Sequence, residues 1–456
     1  MHASWFLLLT SAVLGQAGLQ PREQLNYQGT LAASDADSQT ATRKPFDLTC
    51  WIKPLEAGGC DVYWLLDERG RGEWPWPQRF GVCHVNATGQ TTGDSPALLY
   101  DRPERPGPAG KTPAGRDAVP LLLPIHLTEQ PLAAEVEWQS DRFRFQVEKK
   151  DQRGERGVWQ VALSDNLGRK GTAWIDQNSP VLVALNQRLI LGRGDEYVLK
   201  LELVGSEVLD PQSFARQMTA FDAALALRGK LTLPRGQQEV NWKPDELAVL
   251  EQMLPEVQRA AAGSALAKLF ESAGRDLELQ SGRSDAIADL AAKQKGKQPE
   301  TFSIRGFGDE SLKDGDLKGN VTVLHFWEYR DEPLKEPYGQ VGYLDFLNHR
   351  RKAGGVRVYG VAVDGRLADE ATRPAAERSV RKLKEFMNLS FPVLLDGGSL
   401  LKKFGDPRVL GATLPLFVVI DRDGKIAHYH VGLYDVHQDQ GLKELDEAVL
   451  DAAGKK

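Results

Sequence analysis

Cysteine is scarce: Cys50, Cys60 and Cys83 are the only three in 456 residues, and none follows residue 83. Thiol chemistry anywhere beyond that point is therefore excluded unless one of these three reaches it. Long apolar runs are also missing. Residues 5–14 are apolar but too few to cross a bilayer, and no later run is long enough, so the mature chain is expected to carry no transmembrane segment. There is no excess of positive charge either. Lys and Arg number 57 against 63 Asp and Glu, a formal net charge of -6, so nucleic acid is not an expected partner. The chain has no phosphate-cradling Gly-Lys motif, no Gly-x-Ser-x-Gly elbow and no paired-Cys zinc spacing. No cofactor is called for.

What the chain does have is an ordinary globular composition, 41% hydrophobic and 26% charged, with enough apolar surface for more than one core. The apolar residues 5–14 lead into Gly15-Gln16-Ala17, small residues where a signal peptidase cuts, so residues 1–17 read as a cleaved signal peptide. This predicts export, to a periplasmic or extracellular location. A buried first helix is the alternative, since only the amino terminus and His2 supply positive charge ahead of the apolar run. An exported chain with three cysteines could form one disulfide and keep one thiol. Period-two spacing, however, sets Cys50 beside Leu48 and Ile52 and Cys60 beside Val62 and Trp64, where they serve as small buried hydrophobes.

From residue 18 to 205 the pattern is of short alternating segments divided by turn residues, predicting a mostly antiparallel β domain of sandwich or barrel-like form. Residues 102–119 are rich in Pro and Gly, which predicts a mobile loop inside this domain or a break between its halves. Helical period takes over in residues 206–293. Phe214, Met218, Phe221 and Leu225 form one stripe; Leu247, Leu250, Leu254, Val257, Leu266 and Leu269 form a second, interrupted at Pro255; Ile287 and Leu290 belong to a third. Residues 294–300 are polar, contain Gly and Pro, and read as a linker.

Residues 301–456 alternate strands and helices, the mark of an α/β domain. Residues 321–327 are almost continuously apolar, as in a strand buried on both faces. A helix is predicted over 331–351 with a kink at Pro337, then a strand over 356–364, a helix over 377–387 and strands at 391–396 and 416–421, the last running into a hairpin at 421–426. Phe326-Trp327 before the first helix, Thr413-Leu414-Pro415 before a strand, and Ile420-Asp421-Arg422-Asp423-Gly424 leading to Val431-Gly432 resemble the thioredoxin-like superfamily. The closest likeness is to its redoxin branch, that of the alkyl hydroperoxide reductases and thiol-specific antioxidants, and to exported thioredoxin-like proteins of cytochrome maturation. The resemblance covers about the last third of the chain, a normal domain size.

The resemblance implies a cis proline at Pro415 facing an active site, a groove there for an extended peptide, and a Cys-x-x-Cys motif at the start of the first helix, where the helix dipole stabilises a thiolate. Aligned on Trp327 and on Pro333, the two motif positions are Asp331 and Leu334, with Glu332 between Asp331 and the proline. Neither a carboxylate nor an aliphatic side chain exchanges disulfides. Asp331 suits a helix cap at the vacated electropositive point, worth about 1 kcal/mol; as a catalytic base it would have no evident partner. The expectation is an exported, redox-inactive binding or scaffolding module for an extended peptide or protein partner, not an enzyme at the usual site. The alternative is an atypical thiol-disulfide oxidoreductase using Cys50, Cys60 or Cys83.

Three further places hold chemistry-bearing residues. His428 and His430 share a strand face and His437 follows the next turn, a set that could bind copper or zinc but more simply forms a hairpin surface. Residues 69–80 mix Arg with Trp74 and Trp76, which either stack on a sugar or protein partner or fold under the sheet. Asn86-Ala87-Thr88 fits a glycosylation acceptor.

Overall fold

The structure is a computed structural model that describes residues 19–34, 43–56, 58–107, 110–112, 114–128, 130–140, 142–192, 194–233, 240–328 and 340–454. Residues 1–17, read from the sequence as a signal peptide, and the expected motif positions Asp331, Glu332 and Leu334 lie outside the described residues. The chain divides into two compact units, residues 1–278 and 279–456.

Among the described residues the first unit has fifteen strands, eleven of them in one large antiparallel sheet. In chain order the strands are β1 (Glu23–Ala33), β2 (Lys44–Pro54), β3 (Cys60–Glu68), β4 (Phe80–Val85), β5 (Thr91–Gly93), β6 (Ala97–Arg102), β7 (Arg105–Gly107), β8 (Gly110–Thr112), β9 (Gly115–Pro120), β10 (Glu137–Ser140), β11 (Phe143–Arg153), β12 (Arg156–Asp165), β13 (Gly168–Asp176), β14 (Leu182–Leu191) and β15 (Asp195–Val208). The large sheet runs β10-β11-β12-β13-β14-β15-β1-β2-β3-β4-β5. Strict alternation turns Leu25, Tyr27 and Leu31 of β1 and Phe46, Leu48, Cys50 and Ile52 of β2 to one face. Register shifts at Asn26/Tyr27, Val147/Lys149, Leu163/Ser164 and Trp174/Ile175 add twist. The sheet curls until Ser140 Oγ, at one end, lies 3.4 Å from the Gly89 carbonyl in the β4–β5 turn at the other. Gly29 is required on the inner face, because a Cβ there would sit 2.1 Å from Cζ of Phe46.

The Pro- and Gly-rich stretch, expected to be a mobile loop or a break, contains hairpins instead: β6 pairs with β9, and β7 with β8. Leu98, Leu99, Tyr100 and Val119 are buried in the sheet's core together with Leu121, Leu123, Ile125 and Leu127. Apolar residues just outside the Pro/Gly run thus anchor it across the concave face. Lys44 and Glu68 are also fully buried there, 3.2 Å apart. Glu68 accepts the amides of Trp74 and Leu99, each at 2.8 Å, and Lys44 Nζ donates to the Gly72 carbonyl.

Three helices follow: α1 (Pro211–Arg228), α2 (Pro244–Ala261) and α3 (Ala267–Gln294). Asp210 caps α1 by accepting from the amides of Gln212 and Ser213. Phe221, Leu250, Leu254 and Phe270 from these helices cluster with Trp51, Tyr63, Trp76 and Phe80 on the opposite face of β2–β4. The expected interruption at Pro255 does not occur, because α2 runs through that residue and the break falls between Ala261 and Ala267.

In the second unit, a small hairpin of β16 (Ser303–Arg305) and β17 (Ser311–Lys313) precedes a five-stranded sheet. Its strands are β18 (Val321–Trp327), β19 (Val356–Val363), β20 (Val393–Asp396), β21 (Leu416–Ile420) and β22 (Ile426–Val431), in the order β20-β19-β18-β21-β22. The β18, β19 and β20 strands are parallel, and β21 and β22 antiparallel. All seven residues of β18 are buried, as its nearly continuous apolar run predicts, Thr322 and His325 included. One face packs Val323, Phe417 and Val419 against α4 (Val341–Arg351), α5 (Arg373–Phe386) and α7 (Lys443–Ala452); the other packs Leu324, Phe326 and Val418 against α6 (Ser399–Phe404). The helix predicted from 331 is described only from Val341 onward. Residues 294–300, read as a linker, are held to this sheet: Gly296 donates to the Ile426 carbonyl at 2.8 Å and Ile426 to that of Lys297 at 2.9 Å.

Candidate functional site

The positions that the resemblance marks fall where β18 ends and β21 begins. Register pairs Phe326 with Leu416, so the strand ends bring Trp327 and Pro415 alongside each other. Trp327 is 3% exposed, and its ring lies over Gly360, where a Cβ would be 3.3 Å from Nε1. The Leu414–Pro415 peptide is cis, and the Pro415 carbonyl accepts the Gly432 amide at 2.8 Å. Leu433, which follows Gly432, is an exposed apolar residue.

Two sets of contacts fix the ends of the segment that carries the motif positions. At the near end, Arg408 donates to Glu328 at 2.5 Å and forks onto Asp406, with Nε–Oδ1 2.9 Å and Nη2–Oδ2 2.7 Å. The guanidinium holds the Asp406 carboxyl below its ordinary range and its own pKa is raised in return. At the far end, Gln340 is 1% exposed; its side chain donates to the Tyr434 carbonyl at 2.6 Å and accepts the Tyr434 amide at 3.0 Å. The sequence reading missed both sets. The spacing Asp406-x-Arg408 was the available signal, and it recurs at Asp364-x-Arg366, where the same fork forms at 2.7–3.1 Å. We expect Arg408→Ala to lower stability in chemical denaturation by about 1 kcal/mol, the partly exposed setting keeping the loss small, and Arg408→Lys to recover under half of it for want of a fork.

Cross-strand register aligns His325, Phe417 and His430. His325 stacks on Phe417 with centroids 4.6 Å apart, and His430 stacks on Tyr434 at 3.9 Å. His428 Nε2 lies 2.7 Å from Tyr434 Oη. Burial, with His430 and Lys295 nearby, pushes His428 down to about 4, and burial lowers His430 too. Packing thus disfavours the charged forms of His428 and His430, and His428 is engaged with a phenol. Among the described residues no group of three or more His, Cys, Asp or Glu side chains is arranged to hold a metal, so His437 does not join His428 and His430.

The three cysteines are each 0% exposed and unpaired with one another. Burial raises Cys60 and Cys83 to about 12 and Cys50 well above its ordinary value. Thiols so placed are poor nucleophiles. Trp74 and Trp76 are likewise buried, which removes them as a surface for stacking sugars.

Residues 301–446 match the Redoxin family model, and the C-terminal part of this chain is a thioredoxin-like domain of that kind. No curated protein matches the chain. Among solved structures, a proposed thiol:disulfide interchange protein DsbE from Chlorobium tepidum is 25% identical, covering 35% of this chain and 98% of its own, with a TM-score of 0.27. A secreted Mycobacterium tuberculosis disulfide oxidoreductase is 18% identical, covering 33% of this chain and 95% of its own, with a TM-score of 0.25. A thiol:disulfide interchange protein from a Bacteroides species is 17% identical, covering 35% and 90%, with a TM-score of 0.26. No helix among the described residues is long and apolar enough to cross a membrane.

Proposed function

We propose that this is an exported protein whose redoxin-type domain has given up thiol chemistry and acts as a binding or scaffolding module for an extended peptide or protein partner. The observation that carries the reading is that residues 301–446 contain no cysteine. Supporting it is the exposed apolar Leu433, next to the Gly432 whose amide bonds the Pro415 carbonyl, which suits side-chain contact to an extended segment. Buried thiols in the β unit argue against a borrowed nucleophile.

The test is a disulfide-reduction assay on the mature protein beside the double variant Asp331→Cys/Leu334→Cys. The parent is expected to be inactive and the variant to gain reductase activity. Activity in the parent would overturn the reading, because it would show that one of the three remaining thiols works. Inactivity of a folded double variant would show that the domain no longer supports the geometry of the family.

A further inference from the structure

The outer face of the large sheet, opposite its core, exposes Gln28, Asn186, Arg188, Lys200 and Glu202. Register sets a row across five strands: Thr172 opposite Asn186, Asn186 opposite Lys200, Lys200 opposite Thr30, and Thr30 opposite Pro45. With strands spaced about 4.8 Å apart, the row is about 19 Å long. It joins two hollows. One, of about 410 Å³, is lined by Gln28, Thr30, Arg43, Arg69, Lys200 and Glu202 among others. The second, of about 250 Å³, is lined by Arg169, Lys170, Thr172, Asn186 and Arg188 among others.

Charge on this face does not balance. Glu202 pairs with Arg153 at 3.8 Å, Asp47 with Arg69 at 2.8 Å, Glu148 with Arg169 at 2.6 Å and Asp165 with Lys170 at 3.5 Å. Glu196, in the neighbouring row, accepts from Ser34 Oγ at 3.1 Å. Arg43, Arg188 and Lys200 have no ion-pair partner among the described residues, three uncompensated cations on a chain whose net charge is -6. The groups between them are amides and hydroxyls, suited to sugar hydroxyls. Nucleic-acid bases would need open aromatic faces, but Arg153 lies 3.6 Å over the ring of Trp174 and Lys150 lies 5.2 Å over that of Trp159.

We propose that this face binds an acidic polysaccharide, its carboxylate or sulfate groups meeting Arg43, Arg188 and Lys200 and its hydroxyls meeting Thr30, Thr172 and Asn186. The test uses the full mature chain in affinity electrophoresis through gels containing polygalacturonate, dextran sulfate or plain dextran. Retardation by one or both acidic polymers and none by dextran is expected, and the stronger of the two identifies the acid group. The triple variant R43Q/R188Q/K200Q should bind about tenfold more weakly and with a flatter salt dependence, at an unchanged melting temperature. Thr172→Ala/Asn186→Ala should weaken binding without changing the salt dependence. The proposal is overturned if neither acidic polymer retards the chain, if the triple variant binds like the parent, or if single-stranded DNA binds as tightly as the acidic polysaccharides.

Discussion

Lys44→Met is expected to shift the urea unfolding of the β unit to much lower concentration, a loss of about 3–5 kcal/mol. Lys44 and Glu68 are both fully buried, and desolvation pushes the lysine down and the carboxyl up. What keeps them charged is each other, the two amides donated to Glu68 and the Gly72 carbonyl accepting from Lys44. Removing the cation leaves a buried carboxylate with no counter-charge. Adding Glu68→Gln to that variant removes the stranded charge while retaining an oxygen for an amide, and should restore more than half of the loss. Eight of the ten tryptophans lie between residues 51 and 242, so intrinsic fluorescence follows this unit. Equal midpoints for Lys44→Met and the parent would show that the pair contributes nothing.

The second large effect is acid sensitivity with a defined window. His126 is 6% exposed, its ring packed at a steep angle against the mutually stacked rings of Trp138 and Phe145, and burial pushes it from 6.5 down to about 4. Between those two values the unfolded chain binds a proton that the folded chain refuses, so stability falls as pH falls through the window and the loss is complete below about 4. At 1.36 kcal/mol per pH unit, the loss from this one group reaches about 3 kcal/mol. His428 in the second unit has the same sign and window. Replacing His126 with Phe keeps a ring against the Trp138–Phe145 pair and should flatten the fall of the urea midpoint from pH 7 to pH 4 by about half or more. A parent chain whose midpoint is constant across that range would refute the assignment.

The α/β architecture was legible because its signals are local. A strand buried on both faces shows itself as the nearly continuous apolar run 321–327, and the words around Pro415 and Gly424 fix the later strands. The antiparallel character of the β unit could be read from period-two spacing for the same reason. What could not be read depends on contacts between distant residues. Arg408 reaching Glu328, Gln340 reaching Tyr434 and Lys44 meeting Glu68 are set by topology, and charged residues in those segments look like any solvated turn. The Pro/Gly run misled because the apolar residues that tie it down, Leu98 and Tyr100 before it and Val119 at its end, carry no Pro/Gly signal and are buried in the core of the sheet. Pro255 misled because a proline within a helix is tolerated when the surrounding apolar stripe is buried, as Leu250, Leu254 and Val257 are.

The contacts at Glu328 and Gln340 also bear on how such a domain changes over evolutionary time. Arg408 and the Tyr434 backbone act as two pegs, each outside the stretch that bears the family's reactive residues. Mutations between the pegs can rewrite that stretch while both anchors hold. A lineage could therefore lose its cysteines in single steps and keep a folded domain at every step, leaving a stable surface open to selection for a different task.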